Sequence, residues 1–270
     1  MPKRIFKHFG IDVFDWDDFV VIKMLTNMTQ VTPPPELKAI AINHKAKPVI
    51  FDYLSCENIL PNELLFMNSL KAESPNLGIM TKQYSNQVMR NRAGIKCEFH
   101  HGATVKQIMS SAGMPFKPKL DVAFLNPFLA NTLKVIGSQT NTTVSAGKPF
   151  KIGDPVPSEM CAIIPLVSPI MSGIISLEIP SNVFLWIATK AMADQSLNLD
   201  KVAEFCGELA GMIFGASRPL VNDLGFDLQS TVTTYLRFAT SVNPAISGPS
   251  IGVPIQTEVG ALNFLVRFDA

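Results

Sequence analysis

The chain has 270 residues, of which 47% are hydrophobic and 17% charged, and its net charge at pH 7 is +1. This length suits one or two domains with buried cores. The near-neutral charge excludes the strong positive field on which binding to nucleic acids or anionic membranes depends.

The N-terminal sequence and the cysteines both favour a cytoplasmic protein. MPKRIFKHF lacks the long apolar run of a signal peptide. The cysteines at positions 56, 97, 161 and 206 have no CxxC or paired spacing and lie among apolar residues, so we expect reduced core thiols. No metal or cofactor is expected. The adjacent His100 and His101 would point to opposite faces of a strand, and no glycine-rich phosphate loop occurs.

Strand and helix patterns alternate over residues 1–115, which predicts an α/β layer with a partly parallel sheet. The predicted strands are 18–25, 47–54, 77–82 and 95–101, and the predicted helices are 36–45, 62–73, 84–94 and 103–113.

Three segments of this region, VIFD at 49–52, LGIMTKQYSNQVMRNRAGI at 77–95 and FHHGATVKQI at 99–108, resemble a STAS domain of the anti-sigma-factor-antagonist type. The resemblance implies a switch element Asp-Ser-Ser/Thr-Gly, with a phosphorylated hydroxyl, where a helix begins. Counted from Asp52, that element falls on residues 60–63, where Pro61 and Asn62 stand in a Leu-Pro-Asn-Glu sequence without a hydroxyl. We therefore expect this STAS-like domain to have lost its phospho-switch.

A degenerate receiver domain is the alternative for residues 1–115, because VIFDY before a loop and a helix also resembles a phosphoacceptor strand. Receivers need a pair of acidic residues just after their first strand to hold Mg²⁺. Here Asp15, Asp17 and Asp18 lie before or at the start of the first predicted strand, and no acidic residue comes directly after its last residues, Met24 and Leu25. The STAS-like fold is favoured.

The segment AGMPFKPK at 112–119 has the composition of a linker, so we expect a second domain over residues 118–270. Its predicted helices are 120–139, 181–193 and 199–225, and its predicted strands lie near 141–151, in a hairpin at 161–179, and at 227–238 and 261–268. This order predicts an α+β layer of long helices packed on an antiparallel-rich sheet. The uncharged run 160–177 approaches transmembrane length, but its prolines and glycine favour two buried strands over a membrane span.

The predicted helix 199–225, expected to be capped by Asn198, carries two stripes. The apolar stripe is Val202, Phe205, Leu209, Ile213, Ala216 and Leu220. At about 100° per residue, the opposite stripe is Glu204, Gly207, Glu208, Gly211 and Gly215. Each glycine inside a helix costs roughly 1 kcal/mol relative to alanine. Their presence predicts close approach to the backbone, either by packing within the fold or a dimer, or by a docked partner protein.

GELAGMIFGASRPL at 207–220 resembles the signature helix of the CheX/CheC/FliY family of chemotaxis phosphatases. The resemblance extends in order through 125–137, 147–150, 172–188 and 257–268, and so covers about residues 118–270. It implies a CheX-like domain and a dimer. In that family a Glu pairs with a lysine of a phosphorylated receiver, and an Asn three residues later orients the attacking water. The family Glu falls on Glu208, whereas Gly211 stands in place of the Asn.

Three functions remain open from the sequence. The first is a module that binds a CheY-like response-regulator receiver through Glu204, Gly207, Glu208, Gly211 and Gly215, without catalysis. The second is an active aspartyl-phosphate phosphatase in which Glu208 is catalytic and a polar residue at another position takes over the role of the family Asn. The third is a structural or partner-switching scaffold that acts through the STAS-like domain or a dimer.

Overall fold

The computed structural model describes residues 2–28, 33–81, 99–116, 122–152, 159–192, 199–237 and 250–268. The chain divides into two compact units, Met1–Lys117 and Pro118–Ala270. Each unit contains one β-sheet and helices, so the predicted mixture of α and β structure is confirmed.

The first unit is built on a six-stranded sheet. Its strands are β1 (Lys3–His8), β2 (Ile11–Asp15), β3 (Val20–Met24), β4 (Val49–Asp52), β5 (Leu77–Met80) and β6 (His100–Gly102). Its described helices are α1 (Pro35–Asn43), α2 (Pro61–Lys71) and α3 (Val105–Ser111). The predicted helix 84–94 lies outside the described residues. Prolines at or near the first helical position begin both α1 and α2, where a missing N–H costs no helical bond.

The strand order of the first unit does not fit the receiver alternative. The strands lie side by side in the order β1 to β6, with β1, β2 and β3 antiparallel and β3 to β6 parallel. A receiver is doubly wound and parallel, with strand order 2-1-3-4-5. A hairpin that pairs antiparallel with the first parallel strand is incompatible with that order.

The second unit is a layer of helices on an antiparallel sheet. Its helices are α4 (Val122–Thr140), α5 (Ser181–Met192) and α6 (Leu199–Asp223). Its strands are β7 (Ser145–Ala146), β8 (Phe150–Lys151), β9 (Met160–Val167), β10 (Ser172–Ile179), β11 (Thr234–Arg237), β12 (Ser250–Thr257) and β13 (Gly260–Phe268). The sheet order is β11-β9-β10-β13-β12-β7, β8 also pairs with β12, and every pairing is antiparallel. The predicted antiparallel-rich architecture is confirmed.

The uncharged segment 160–177 forms strands β9 and β10, as predicted. Its turn is closed by Ser168, whose hydroxyl accepts hydrogen bonds from the backbone N–H groups of Ile170 and Met171. None of the helices that the structure describes has the length and apolar character needed to cross a membrane.

Helices α4 and α6 are locked together by aromatic and polar contacts. The Phe128 ring on α4 is stacked on the Phe214 ring on α6, with 6.5 Å between the ring centroids. Asn131 on α4 donates a 3.1 Å hydrogen bond to the Ser217 hydroxyl on α6. These contacts fix one side of α6 and leave its opposite side available.

Two cysteines lie in this core, and burial raises the pKa of both Cys161 and Cys206 to about 12. Both are free thiols, as is the half-buried Cys56. Thiols with such pKa values stay protonated and are poor nucleophiles. The described cysteines therefore fit the predicted role of reduced thiols, while Cys97 lies outside the described residues.

Glu178 on β10 gives the second unit a pH-dependent stability. The residue is 3% exposed, and its Oε2 atom has no hydrogen-bond partner among the described residues. Burial raises the pKa of Glu178, although Arg267 partly opposes the shift. A raised folded-state pKa means that stability is highest below the unfolded carboxyl pKa of about 4.3 and falls as pH rises through the folded value.

We expect Glu178→Gln to remove this penalty. The variant should gain more thermal stability relative to the parent at pH 8 than at pH 4.5, because the cost of burying this carboxyl grows as pH rises above the unfolded carboxyl pKa of about 4.3. Thermal unfolding at both pH values measures the difference, with the exposed Glu258→Gln as control. An equal change in Tm at the two pH values would contradict the prediction.

Candidate functional site

The candidate site is built on α6, a helix of 25 residues. Its C-terminal end is fixed by Gly225, which has φ of 94°, and by two hydrogen bonds between the Asn222 side chain and the backbone of Leu228. The expected cap, Asn198, lies outside the described residues. The end of the helix that carries Gly211 and Gly215 is therefore firmly anchored.

The apolar stripe predicted for α6 is correct from Phe205 to Ile213 and wrong beyond it, while the side chain of Val202 lies outside the described residues. Phe205, Leu209 and Ile213 are buried, as predicted, whereas Ala216 and Leu220 are exposed. Their predicted places in the interface are taken by Ser217 and Val221. The buried residues after Leu209 follow a row of i+4 steps, and such a row winds around the helix. The prediction wrongly assumed that the buried face runs straight along the helix axis.

The opposite stripe lies on the solvent side of α6. We call it the Glu208 face, and it consists of Glu204, Gly207, Glu208, Gly211 and Gly215. Both glutamates and Gly215 are exposed, and the other two glycines are half-buried at its edge.

The Glu208 face is open at Gly211 and Gly215. A Cβ atom placed on Gly215 would have no neighbour within 4 Å, and one on Gly211 would meet only the Thr233 hydroxyl, at 3.8 Å. Packing against another helix of the described chain does not explain these two glycines. Docking of a second molecule at these two glycines stays a prediction.

The two carboxylates of this face have no partner in the part of the chain that the structure describes. Among the described residues, neither Glu204 nor Glu208 forms a salt bridge or a side-chain hydrogen bond. Met212, next to Gly211, is 37% exposed, and Val232, next to Thr233, whose hydroxyl is bonded to the Gly207 carbonyl, is 83% exposed. The surface therefore offers negative charge with an apolar border, which suits a partner that presents a cation beside apolar side chains.

Thr233 is a site residue that the sequence did not reveal. It immediately precedes β11, and its hydroxyl donates a 3.2 Å hydrogen bond to the carbonyl oxygen of Gly207. The same hydroxyl oxygen is the nearest atom to the Cβ position of Gly211. A hydroxyl thus lies beside the position for which the family resemblance predicts a carboxamide. Only the pairing of β11 with β9 brings it there.

At the start of α2, where the STAS resemblance would place a phosphorylated hydroxyl, the structure has a buried carboxylate. Pro61 opens the helix and Asn62 is half-buried, while the carboxylate of Glu63 is fully buried. Glu63 accepts hydrogen bonds from the backbone N–H groups of Leu60, at 2.6 Å, and Met28, at 2.5 Å, and from the Asn27 amide at 3.0 Å. A carboxylate near a helix N-terminus is favoured by the free N–H groups there.

Glu63 is expected to be a major source of stability in the first unit. Glu63→Ala should lower the free energy of unfolding by about 3 kcal/mol, because it removes the acceptor of the buried Met28 N–H and of two part-buried donors, the Leu60 N–H and the Asn27 amide. Urea unfolding followed by Trp16 fluorescence in a Trp186→Phe background measures the first unit. The exposed Glu57→Ala in the preceding loop is the control. A loss no larger than that of the control would show that these hydrogen bonds contribute little.

No group of three or more metal-ligating side chains occurs in the part of the chain that the structure describes.

Comparison with known proteins identifies the fold of part of the chain. No protein-family model and no curated protein matches the sequence. A solved CheC-like superfamily protein from Shewanella sp. PV-4 is similar at 23% identity with a TM-score of 0.52, covering 56% of this chain and 100% of that protein. A chemotactic CheC-like protein from Shewanella oneidensis MR-1 is similar at 22% identity with a TM-score of 0.51 and the same coverage.

The matched share of the chain equals the size of the second unit, to which the resemblance in sequence also points. At this level of identity the likeness establishes a shared fold.

Proposed function

We propose that the second unit binds a CheY-like response-regulator receiver through the Glu208 face and does not accelerate hydrolysis of the receiver's aspartyl phosphate. The observation that carries the proposal is a pair of exposed carboxylates that have no partner among the described residues, on a helix side that is open at Gly211 and Gly215. The fold shared with a chemotactic CheC-like protein supports the class of partner.

The absence of catalysis follows from the chemistry of the reaction. An aspartyl phosphate is hydrolysed by in-line attack of water, and a phosphatase contributes mainly positioning and charge stabilisation. Gly211 has no side chain with which to orient that water. Glu204 lies one turn before Glu208, but a carboxylate repels the phosphoryl group. Binding is therefore retained while the group that positions water is missing.

An active phosphatase is the second candidate, and the Thr233 hydroxyl is the observation that favours it. While this hydroxyl donates to the Gly207 carbonyl, its oxygen can still accept a hydrogen bond from a water molecule. Thr233 would then be the relocated polar group, with Glu208 holding the receiver.

Phosphate release from a phosphorylated receiver separates the two candidates. We expect the full-length chain to leave the receiver's own rate of phosphate loss unchanged, and Thr233→Val to behave as the parent does. An acceleration by the parent that Thr233→Val removes would establish the phosphatase and overturn the non-catalytic proposal. Receiver binding by both proteins, measured by calorimetry, is the control for folding.

A scaffold role for the first unit is a separate proposal. The alternating elements, the sequential strand order and the degenerate element at Pro61 and Asn62 support a STAS-like interaction domain that is not switched by phosphorylation. We further propose that the protein is a cytoplasmic homodimer. A pull-down with receiver and sedimentation of the full-length chain test partner and oligomeric state independently.

A further inference from the structure

A pocket of about 210 Å³ lies at the C-terminal end of α6. It is lined by Phe214, Gly215, Arg218, Pro219, Asn222 and Ser230. Because Gly215 belongs both to the pocket and to the Glu208 face, the two form one continuous surface. A partner docked on that face therefore also reaches the pocket.

The guanidinium of Arg218 is held in a fixed orientation. Its Nε atom donates a 2.8 Å hydrogen bond to the carbonyl oxygen of Leu228. The backbone of Leu228 is itself held by the Asn222 side chain, which accepts from its N–H and donates to its carbonyl. A guanidinium that is already oriented loses little conformational entropy when it binds a further group.

Most of the hydrogen-bonding capacity of Arg218 remains unused. A guanidinium has five N–H donors, and the bond to Leu228 uses one of them. No carboxylate of the described residues forms an ion pair with Arg218. The planar arrangement of the remaining donors matches a carboxylate, which can accept two of them at once.

We propose that the Arg218 pocket receives an acidic side chain of the same receiver that docks on the Glu208 face. The inference rests on the proposed function and adds a second point of contact. Because an α-helix rises about 1.5 Å per residue, Arg218 lies about 15 Å along the helix from Glu208. The partner must present a cation and a carboxylate at that separation.

The two opposite charges select one docking orientation. A receiver turned end for end would place its cation against Arg218 and its carboxylate against Glu208, and like charges in contact weaken binding strongly. The pocket thus supplies directional specificity, while the glycines supply close approach.

Receiver binding by full-length variants tests the inference. Arg218→Glu should weaken binding by about 10-fold or more, because it sets two carboxylates against each other. Ser230→Glu keeps the hydrogen bond between Arg218 and Leu228 but places an acid at the exposed rim of the pocket, so it should weaken binding by a similar factor. Lys190→Glu, an exposed charge reversal on α5, is the control.

The outcomes separate this inference from the proposed function. A parent that binds the receiver, with both pocket variants weakened and the control unchanged, supports the inference. If the parent binds and both pocket variants bind equally well, the inference is overturned while the proposed function stands. A parent that binds no receiver overturns both.

Discussion

Glu208→Lys is expected to abolish binding of the receiver, with a loss of at least about 100-fold in affinity. Reversing a charge at a salt-bridged contact replaces attraction with like-charge repulsion against the partner's lysine, which costs several kcal/mol. Since Glu208 is exposed and has no salt bridge or hydrogen bond within the described chain, the substitution should leave the fold intact.

The control for this variant is Glu258→Lys. Glu258 is also an exposed glutamate of the second unit, but it lies between β12 and β13, outside α6. The two variants change the net charge equally, so general electrostatic attraction weakens in both. Loss of binding confined to Glu208→Lys would locate the contact on α6. Equal binding by Glu208→Lys and the parent would remove the Glu208 face from the interface.

Gly211→Asn is expected to create phosphatase activity, raising phosphate release from a bound receiver by about 10-fold or more over the parent. The side chain restores a carboxamide three residues after Glu208. The structure has room for it, because the new Cβ atom would lie in ordinary contact with the Thr233 hydroxyl and nothing nearer. On an exposed helix side, asparagine is no worse than glycine for helix stability.

Gly215→Asn is the matched control for the gain of activity. It makes the same chemical change one turn further along the same face, where a Cβ atom would meet no neighbour within 4 Å. Its carboxamide, however, lies two turns from Glu208, too far along the helix for the family spacing. We expect no gain in phosphate release from this variant. A similar gain from both would mean that any added amide suffices and that position 211 has no special geometry.

The sequence predicted the fold of the second unit well because its local signals agree. Period-2 and period-3.6 patterns locate the β9–β10 hairpin and helices α4 to α6, and the chain order of these elements matches the observed sheet. Three strands, β1, β2 and β12, escaped prediction. β1 is an edge strand with exposed basic residues, and β12 contains a glycine and a proline, which lower strand propensity.

The candidate site was predictable only as far as it lies on one helix. The spacing of Glu204, Glu208 and the glycines places them on one side of α6, whichever side of the helix packs against the rest of the unit. Which way that side faces depends on how α4 and the sheet cover the helix, and the exposure of Leu220 shows that this was not predictable over the full length.

Thr233 and Arg218 show a further limit of sequence reasoning. Thr233 is 26 residues from Gly207, and only the return of the chain into β11 brings its hydroxyl to the helix. Arg218 reads as an ordinary surface arginine until its bond to the Leu228 carbonyl fixes its direction. Both depend on tertiary contacts that leave no local pattern.

The most direct test of the central claim measures receiver binding and phosphate release side by side for the parent, Glu208→Lys and Gly211→Asn. The account predicts that the parent binds the phosphorylated receiver without accelerating hydrolysis, that Glu208→Lys does not bind, and that Gly211→Asn binds and hydrolyses. A parent that already hydrolyses as fast as Gly211→Asn, or a Glu208→Lys variant that binds as well as the parent, would contradict it.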